Sequence, residues 1–358
     1  MDLRVVIMAG GVGTRFWPVS RKKRSKQFLP IISEKTMIEE TVYRLLPLVP
    51  YTKIYTIANL EQTQTIRSFL PKLPKENLLI EPQGKNTAPS LILSTATIFL
   101  QNPKAVLAAL PADHLIKEPS LFLKKLKAGA VAASKGKNLI TFGIPPSYPA
   151  TGYGYIQFSK ENLIQILDEN FYALQEFKEK PDLEKAKTFL AKENYFWNSG
   201  MFLWQTSVFA QKLKEYAPSM FLYWEKILDA LKNSNKIQIK SIFEEIPSIS
   251  IDYALMEKAE GVLMGEGNFG WSDVGAWSSL ADIWPQDDKE NALRGESILL
   301  DSKNCLLYNP SKLTAFIGVK DLIVVDTEDA LLICHKDQDQ KVKEVVEKLK
   351  KKGKNEFL

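Results

Sequence analysis

Apolar positions in the first 150 residues fall into short unbroken runs, separated by longer stretches where they recur every three or four residues. The run Leu3–Ala9 is rich in β-branched residues and ends in glycines, the pattern of a strand buried on both faces. Similar runs at 53–58, 77–80, 105–110 and 138–142 predict four more strands. Helical periodicity marks 37–46, 60–70, 88–101 and 119–135 between them. Thr36 stands before the first of these and Glu39 three residues later. That is a capping box, in which the two side chains satisfy each other's orphan backbone N–H. Strands alternating with helices predict βαβ units, hence an α/β fold with a mostly parallel sheet and helices on both faces.

The pattern changes near residue 151, where the alternating TGYGYIQF is followed by ILDENFYALQEF, an antiparallel insertion. Helical patterns follow at 182–192, 207–216, 218–232 and 251–259. The polar stretch PQDDKEN, 285–291, reads as a linker. Short strand patterns then recur at 297–300, 305–308, 314–318, 322–326 and 329–334, before a lysine-rich helix at 339–351. The expected division is a catalytic domain at 1–285 and a small β-rich domain at 286–358 that ends in a helix.

Composition narrows the function classes. Lysine and arginine number 47 against 42 acidic residues, and a net charge of +5 on 358 residues does not predict a nucleic-acid partner. The two cysteines, Cys305 and Cys334, form no metal knuckle or disulfide framework, and two histidines cannot build a multi-histidine zinc site. The N-terminus lacks the basic and long apolar regions of a signal peptide, and no apolar run of about 18 residues is present to span a membrane. A cytoplasmic protein without a membrane partner is expected.

The sharpest chemistry-bearing feature is Gly10-Gly11-Val12-Gly13-Thr14-Arg15-Phe16-Trp17-Pro18, directly after the first strand. Glycines there let backbone N–H groups approach phosphate oxygens, and ligands of open α/β sheets bind beyond the carboxyl ends of strands. A dinucleotide fingerprint fails because its third glycine position is Phe16, and a Walker A loop fails for want of a Gly-Lys pair. Arg15, Arg21, Lys22, Lys23, Arg24 and Lys26 make the following stretch basic, which suits a polyphosphate.

Residues 10–30, GGVGTRFWPVSRKKRSKQFLP, resemble the signature of the sugar-nucleotide pyrophosphorylase family. Phe16-Trp17-Pro18 and Lys26-Gln27-Phe28 resemble its mannose and guanosine branch. Blocks similar to that family's follow in its order: EPQGKNTAP, LPADH, GIPPSYPATGYGYI, FKEKP, WNSGMF, SIDYALMEK and GWSDVGAW. Three positions depart from its pattern: Ser25 for a usual proline, Lys85 for a common arginine and Ala150 for a common glutamate.

The resemblance implies a Rossmann-like, GT-A-like nucleotidyltransferase domain followed by a small β-rich domain, without the isomerase domain of longer members. It implies Mg²⁺-dependent transfer of GMP from GTP to mannose 1-phosphate, giving GDP-mannose and pyrophosphate. Arg15 is then the candidate for the departing β/γ-phosphates and Lys26 for the α-phosphate. Gly10, Gly11, Gly13 and Thr14, with Glu81, Asn86 and Thr87, are the candidates for the nucleotide. Gly152, Glu179, Lys180 and Asn198 are those for the sugar phosphate. Asp113, just past an apolar strand, and Asp273 are the candidate Mg²⁺ carboxylates, since Mg²⁺ takes one or two carboxylates plus phosphate oxygens. His114 reads as a packing residue or one that supports its neighbours in the site, because an anionic phosphate nucleophile has no proton to lose. Similar proteins self-associate through the β-rich tail, so a homodimer is an expectation. Two alternatives stay open: a transferase for another sugar 1-phosphate and nucleotide pair, and a catalytically silent nucleotide-sugar sensor.

Overall fold

The computed structural model describes residues 1–11 and 13–358, with Asn162 described by its backbone alone. Val12 of the glycine loop lies outside the described residues. The chain forms two compact units, neither of them a continuous segment. The first comprises Met1–Gly10, Val42–Ala112 and Ile116–Trp271; the second comprises Gly11–Thr41, Asp113–Leu115 and Ser272–Leu358.

The strands up to Ser272 are β1 (Leu3–Met8), β2 (Ile54–Asn59), β3 (Leu78–Glu81), β4 (Val106–Pro111), β5 (Leu115–Ile116), β6 (Leu139–Ile144), β7 (Tyr155–Ile166), β8 (Glu169–Lys178), β9 (Tyr195–Gln205), β10 (Val262–Glu266) and β11 (Trp271–Ser272). The helices are α1 (Met37–Leu45), α2 (Thr63–Phe69), α3 (Thr87–Gln101), α4 (Pro119–Ser134), α5 (Leu183–Leu190), α6 (Thr206–Tyr216), α7 (Pro218–Lys232), α8 (Lys236–Glu245) and α9 (Val342–Lys351).

Nine strands of the first unit form one sheet in the order β3-β2-β1-β4-β9-β6-β10-β8-β7. β3, β2, β1 and β4 pair in parallel, as do β6 and β10, while β9 runs antiparallel between β4 and β6. β7 and β8 form the antiparallel insertion that the alternating sequence predicts. β1, β2 and β4 are buried along nearly their whole length, because helices cover both faces. On one face, Val6, Leu107 and Ala109 meet apolar residues of α3, α6 and α7. On the other, Gly129 of α4 lies so close to the sheet that a Cβ there would sit 3.1 Å from the Phe142 ring.

In the second unit, β12 (Ala292–Arg294), β14 (Leu306–Tyr308) and β16 (Leu322–Asp326) pair in parallel, with β17 (Leu331–His335) antiparallel to β16. β13 (Ser297–Leu300) and β15 (Thr314–Ile317) form a separate parallel pair. This is the β-rich tail, but it is not packed alone. Phe16, Trp17, Leu29 and Ile31 share one core with Trp277, Trp284, Leu306, Ile323, Val342 and Val346. Indole N–H groups fasten it: Trp277 donates to the Trp17 carbonyl (3.1 Å) and Trp284 to the Ile31 carbonyl (2.7 Å). Arg294 donates to the carbonyls of Pro30 and Ile32 at 3.1 and 2.6 Å. By spatial contact the second unit takes in the basic loop as well as the segment from Ser272 onward.

Candidate active site

In the second unit the glycine loop leads into a single 3₁₀ turn, Thr14–Phe16. Gly13 precedes that turn in the left-handed region, with φ 72° and ψ 46°. A Cβ there would collide with the Lys26 side chain, so both the backbone and the space require glycine. Gln27 Nε2 donates to the Gly11 carbonyl at 3.0 Å and fixes the loop's first half. Arg15 Nε is buried and has no hydrogen-bond partner among the described residues, which leaves a cationic donor free for a ligand.

Lys26 is the centre of this group. It is 4% exposed, although an ammonium is costly to bury unpaired. Its Nζ makes an ion pair with Asp113 Oδ2 at 3.0 Å. It also donates to the Asp113 carbonyl at 3.1 Å and the Asp273 carbonyl at 2.6 Å. Lys26 and the two candidate metal residues, Asp113 and Asp273, are thus brought together. Burial pushes the Asp113 carboxyl up, but the Lys26 ammonium, with His114 beside it, more than offsets this and holds it below its ordinary value. Two hard carboxylates fit Mg²⁺ by donor chemistry. Among the described residues no three His, Cys, Asp or Glu side chains converge. A cation here would complete its shell with phosphate oxygens and water.

In the first unit, Glu81 ends β3 as a buried carboxyl. Ser90 Oγ of α3 donates to its Oε2. Burial raises its pKa, against the pull of the Ser90 hydrogen bond. A Cβ on Gly10 would stand 2.7 Å from Glu81 Oε1, so glycine keeps that oxygen in place. Asn86 and Thr87 are used in holding the backbone: Asn86 accepts from the Thr87 N–H at 2.8 Å as the N-cap of α3, and Thr87 Oγ1 accepts from the Ile251 N–H at 2.8 Å.

Glu179 and Asn198 lie together against Gly154. The Asn198 N–H donates to the Gly154 carbonyl at 2.8 Å. A Cβ on Gly154 would collide with Glu179 Oε2 and stand 3.5 Å from Asn198 Cβ. Lys180, at φ 47°, pairs with Glu179 Oε1 at 2.7 Å. A Cβ on Gly152 would meet nothing within 4 Å, so the close backbone approach in this segment is at Gly154. Trp197 and Tyr153 stack edgewise beside these residues, with ring centroids 5.1 Å apart.

Sequence reasoning did not single out Asp252, whose Oδ1 accepts from Asn198 Nδ2 at 2.9 Å. Its signal was its place in SIDYALMEK, a block read there only as a whole. Two of the three departures are accommodated locally. Ser25 holds φ −64°, an angle proline would also hold, and Lys85 Nζ donates to the Glu244 carbonyl at 3.2 Å.

Residues 4–290 match the nucleotidyl transferase family, and residues 295–349 match a MannoseP isomerase/GMP-like beta-helix domain. The Xanthan biosynthesis protein XanB of Xanthomonas campestris pv. campestris is 38% identical over 99% of this chain and 75% of its own length. A mannose-1-phosphate guanylyltransferase of Salmonella muenchen is 39% identical over 98% of this chain and 74% of its own. The crystal structure of mannose-1-phosphate geranyltransferase from Thermus thermophilus superposes with a TM-score of 0.87 at 32% identity, covering 98% of this chain and all of that one.

Proposed function

The chain belongs to the nucleotidyl transferase family, among the mannose-1-phosphate guanylyltransferases, and from that premise we propose that it transfers GMP from GTP to α-D-mannose 1-phosphate. The products are GDP-mannose and pyrophosphate. The observation that carries this reading is the buried Lys26 ammonium, tied at once to Asp113 and to Asp273 beside the glycine loop.

The chemistry is a phosphoryl-centre displacement. An oxygen of the sugar phosphate bonds to the α-phosphorus of GTP, the bond from that phosphorus to the bridging oxygen breaks, and pyrophosphate leaves with the electron pair. No proton has to move, so the barrier is the approach of two anions and the charge on the leaving group. Lys26, held rigid by three oxygen contacts, offers a fixed positive charge to the α-phosphate. Arg15, whose Nε has no hydrogen-bond partner among the described residues, serves the β- and γ-phosphates. The loop N–H groups at Gly11 and Gly13 orient phosphate oxygens. Asp113 and Asp273 would hold Mg²⁺, which when bound supplies neutralising charge to the triphosphate.

Glu81 suits guanine, whose N1–H and exocyclic amine are donors that a carboxylate accepts and that adenine does not present in the same pattern. Asn86 and Thr87 set the loop and helix end beside it. Glu179, Asn198 and Gly154 face the sugar hydroxyls, and Lys180 the sugar's phosphate. We also infer self-association through the tail. Ile298 and Leu300 of β13 and Ile317 of β15 point outward, as do Leu331 and Ile333 of β17. Ile317 is 69% and Ile333 60% exposed, an apolar face of the kind that a second copy covers.

The test is pyrophosphate release by purified protein with Mg²⁺, crossing GTP, ATP, UTP and dTTP with mannose, glucose and glucosamine 1-phosphates. Release confined to GTP with mannose 1-phosphate is expected. Release with another pair would keep the chemistry and overturn the specificity. Folded protein that binds GDP-mannose but releases no pyrophosphate with any pair would make it a sensor instead.

A further inference from the structure

Asp252 opens a π-helical turn, Asp252–Met256, a rare conformation that collects at functional sites. Its Oδ1 accepts from Asn198 Nδ2, and the rest of that carboxamide is committed too. Asn198 Oδ1 accepts from the Gly200 N–H at 3.2 Å and lies 3.3 Å from the hydroxyl of fully buried Thr141. The carboxamide is therefore locked in one orientation, with Asp252 as the anchor on its donor side. Two carboxylate oxygens in this cluster, Asp252 Oδ2 and Glu179 Oε2, accept no hydrogen bond from any other described residue. A pair of acceptor-only oxygens beside an oriented amide is matched by a ligand rich in hydroxyl donors.

We propose that Asp252 is a further specificity-determining residue, fixing the Asn198 carboxamide through Oδ1 and accepting a hydrogen bond from a sugar-ring hydroxyl through Oδ2. This rests on the assignment of Glu179 and Asn198 to the sugar of mannose 1-phosphate. The charged groups facing Asp252 are Glu179 and Lys180, with Glu257 next to its own turn feeling the same Glu179 charge. Burial and then the Glu179 charge push the Asp252 carboxyl up to about 6, against the pull of Asn198 and Lys180. Once protonated, the carboxyl brings a donor into a place that needs an acceptor. Affinity for the sugar moiety is therefore full above that value and falls as the pH drops through it.

The probe is GDP-mannose, titrated calorimetrically between pH 5 and 8. Mannose 1-phosphate is unsuitable because its own second phosphate ionisation falls near pH ~6. Wild-type affinity is expected to weaken toward pH 5. Asp252→Asn is expected to bind about tenfold or more weakly at neutral pH, with a flattened profile and unchanged GTP affinity. Asp252→Glu, which keeps the charge, is expected to keep the pH dependence. Added to Asn198→Ala, the Asp252→Asn change is expected to cost less than it does alone, because one partner is already gone. An Asp252→Asn variant that melts like wild type and binds GDP-mannose with wild-type affinity and profile would overturn the proposal. So would an Asp252→Glu variant whose profile is as flat as that of Asp252→Asn. Wild-type protein that binds GTP but not GDP-mannose would instead overturn the sugar reading on which the proposal stands.

Discussion

At the scale of single residues, the site is organised by one buried charge. Lys26 is positioned before any substrate arrives, since its three oxygen partners all belong to residues at or next to the ends of structured segments. Lys26→Ala is expected to lower kcat by about 10²–10³ with little change in KM for either substrate, because the charge is used where charge develops. Steady-state kinetics of pyrophosphate release read this, and a change in KM alone would reduce Lys26 to a binding residue. Asp113→Asn is expected to remain folded and to lose most Mg²⁺-dependent turnover; full activity would remove Asp113 from the metal site. The Asp113 carboxyl is held below its unfolded value. Its contribution to stability is accordingly present at neutral pH and lost as the pH falls through that lowered value. Sequence alone pointed to Lys26, Asp113 and Asp273 by motif. It could not show that one ammonium touches the other two residues, which are 87 and 247 positions away along the chain.

At the scale of elements, local signals worked where local chemistry dominates. The Thr36 N–H donates to Glu39 Oε2 at 2.9 Å and the Glu39 N–H points at Thr36 Oγ1 at 3.4 Å, the reciprocal cap that the spacing predicts. Thr36→Ala is expected to cost about 1 kcal/mol in urea unfolding, since it strands an N–H of the first turn. A double-mutant cycle with Glu39→Ala should return most of that as coupling, and additive losses would mean the two side chains act separately. Strands β5, β9, β10, β11 and β12 and helix α8 escaped the pattern, and two of them show why. KIQIKSIFEE alternates like a strand, yet it forms α8, with Ile242 and Phe243 buried and Ile237 left 83% exposed. β9 was legible as the block WNSGMF but not as a strand, because Asn198 and Gly200 (φ 69°) interrupt its apolar run. Its place antiparallel between β4 and β6 is a long-range pairing that no window of sequence contains.

At the scale of the molecule, the tail strands were read at nearly their observed positions, while their partners were not. The chain passes between the two units five times, at Gly10, Thr41, Ala112, Leu115 and Trp271. Ile317→Glu with Ile333→Glu would charge the outward apolar face of the tail. We expect the pair to convert the protein to monomers in sedimentation while the far-ultraviolet spectrum stays unchanged; an unaltered mass would clear this face of self-association. The amino-acid sequence by itself determined the α/β class, most elements, the β-rich tail and the ordered motifs that mark a nucleotidyltransferase. The class, the elements and the tail follow from periodicity, caps and turns, which are interactions between near neighbours; the motifs were legible through their resemblance to a family. Tertiary structure alone decided that the basic loop packs with the tail through Trp277 and Trp284, that Gly154 rather than Gly152 approaches the acceptor cluster, and that Asp252 anchors Asn198. Each of these depends on burial and hydrogen bonds between residues far apart in the chain, whose energies appear only when the packed core brings them within a few ångströms.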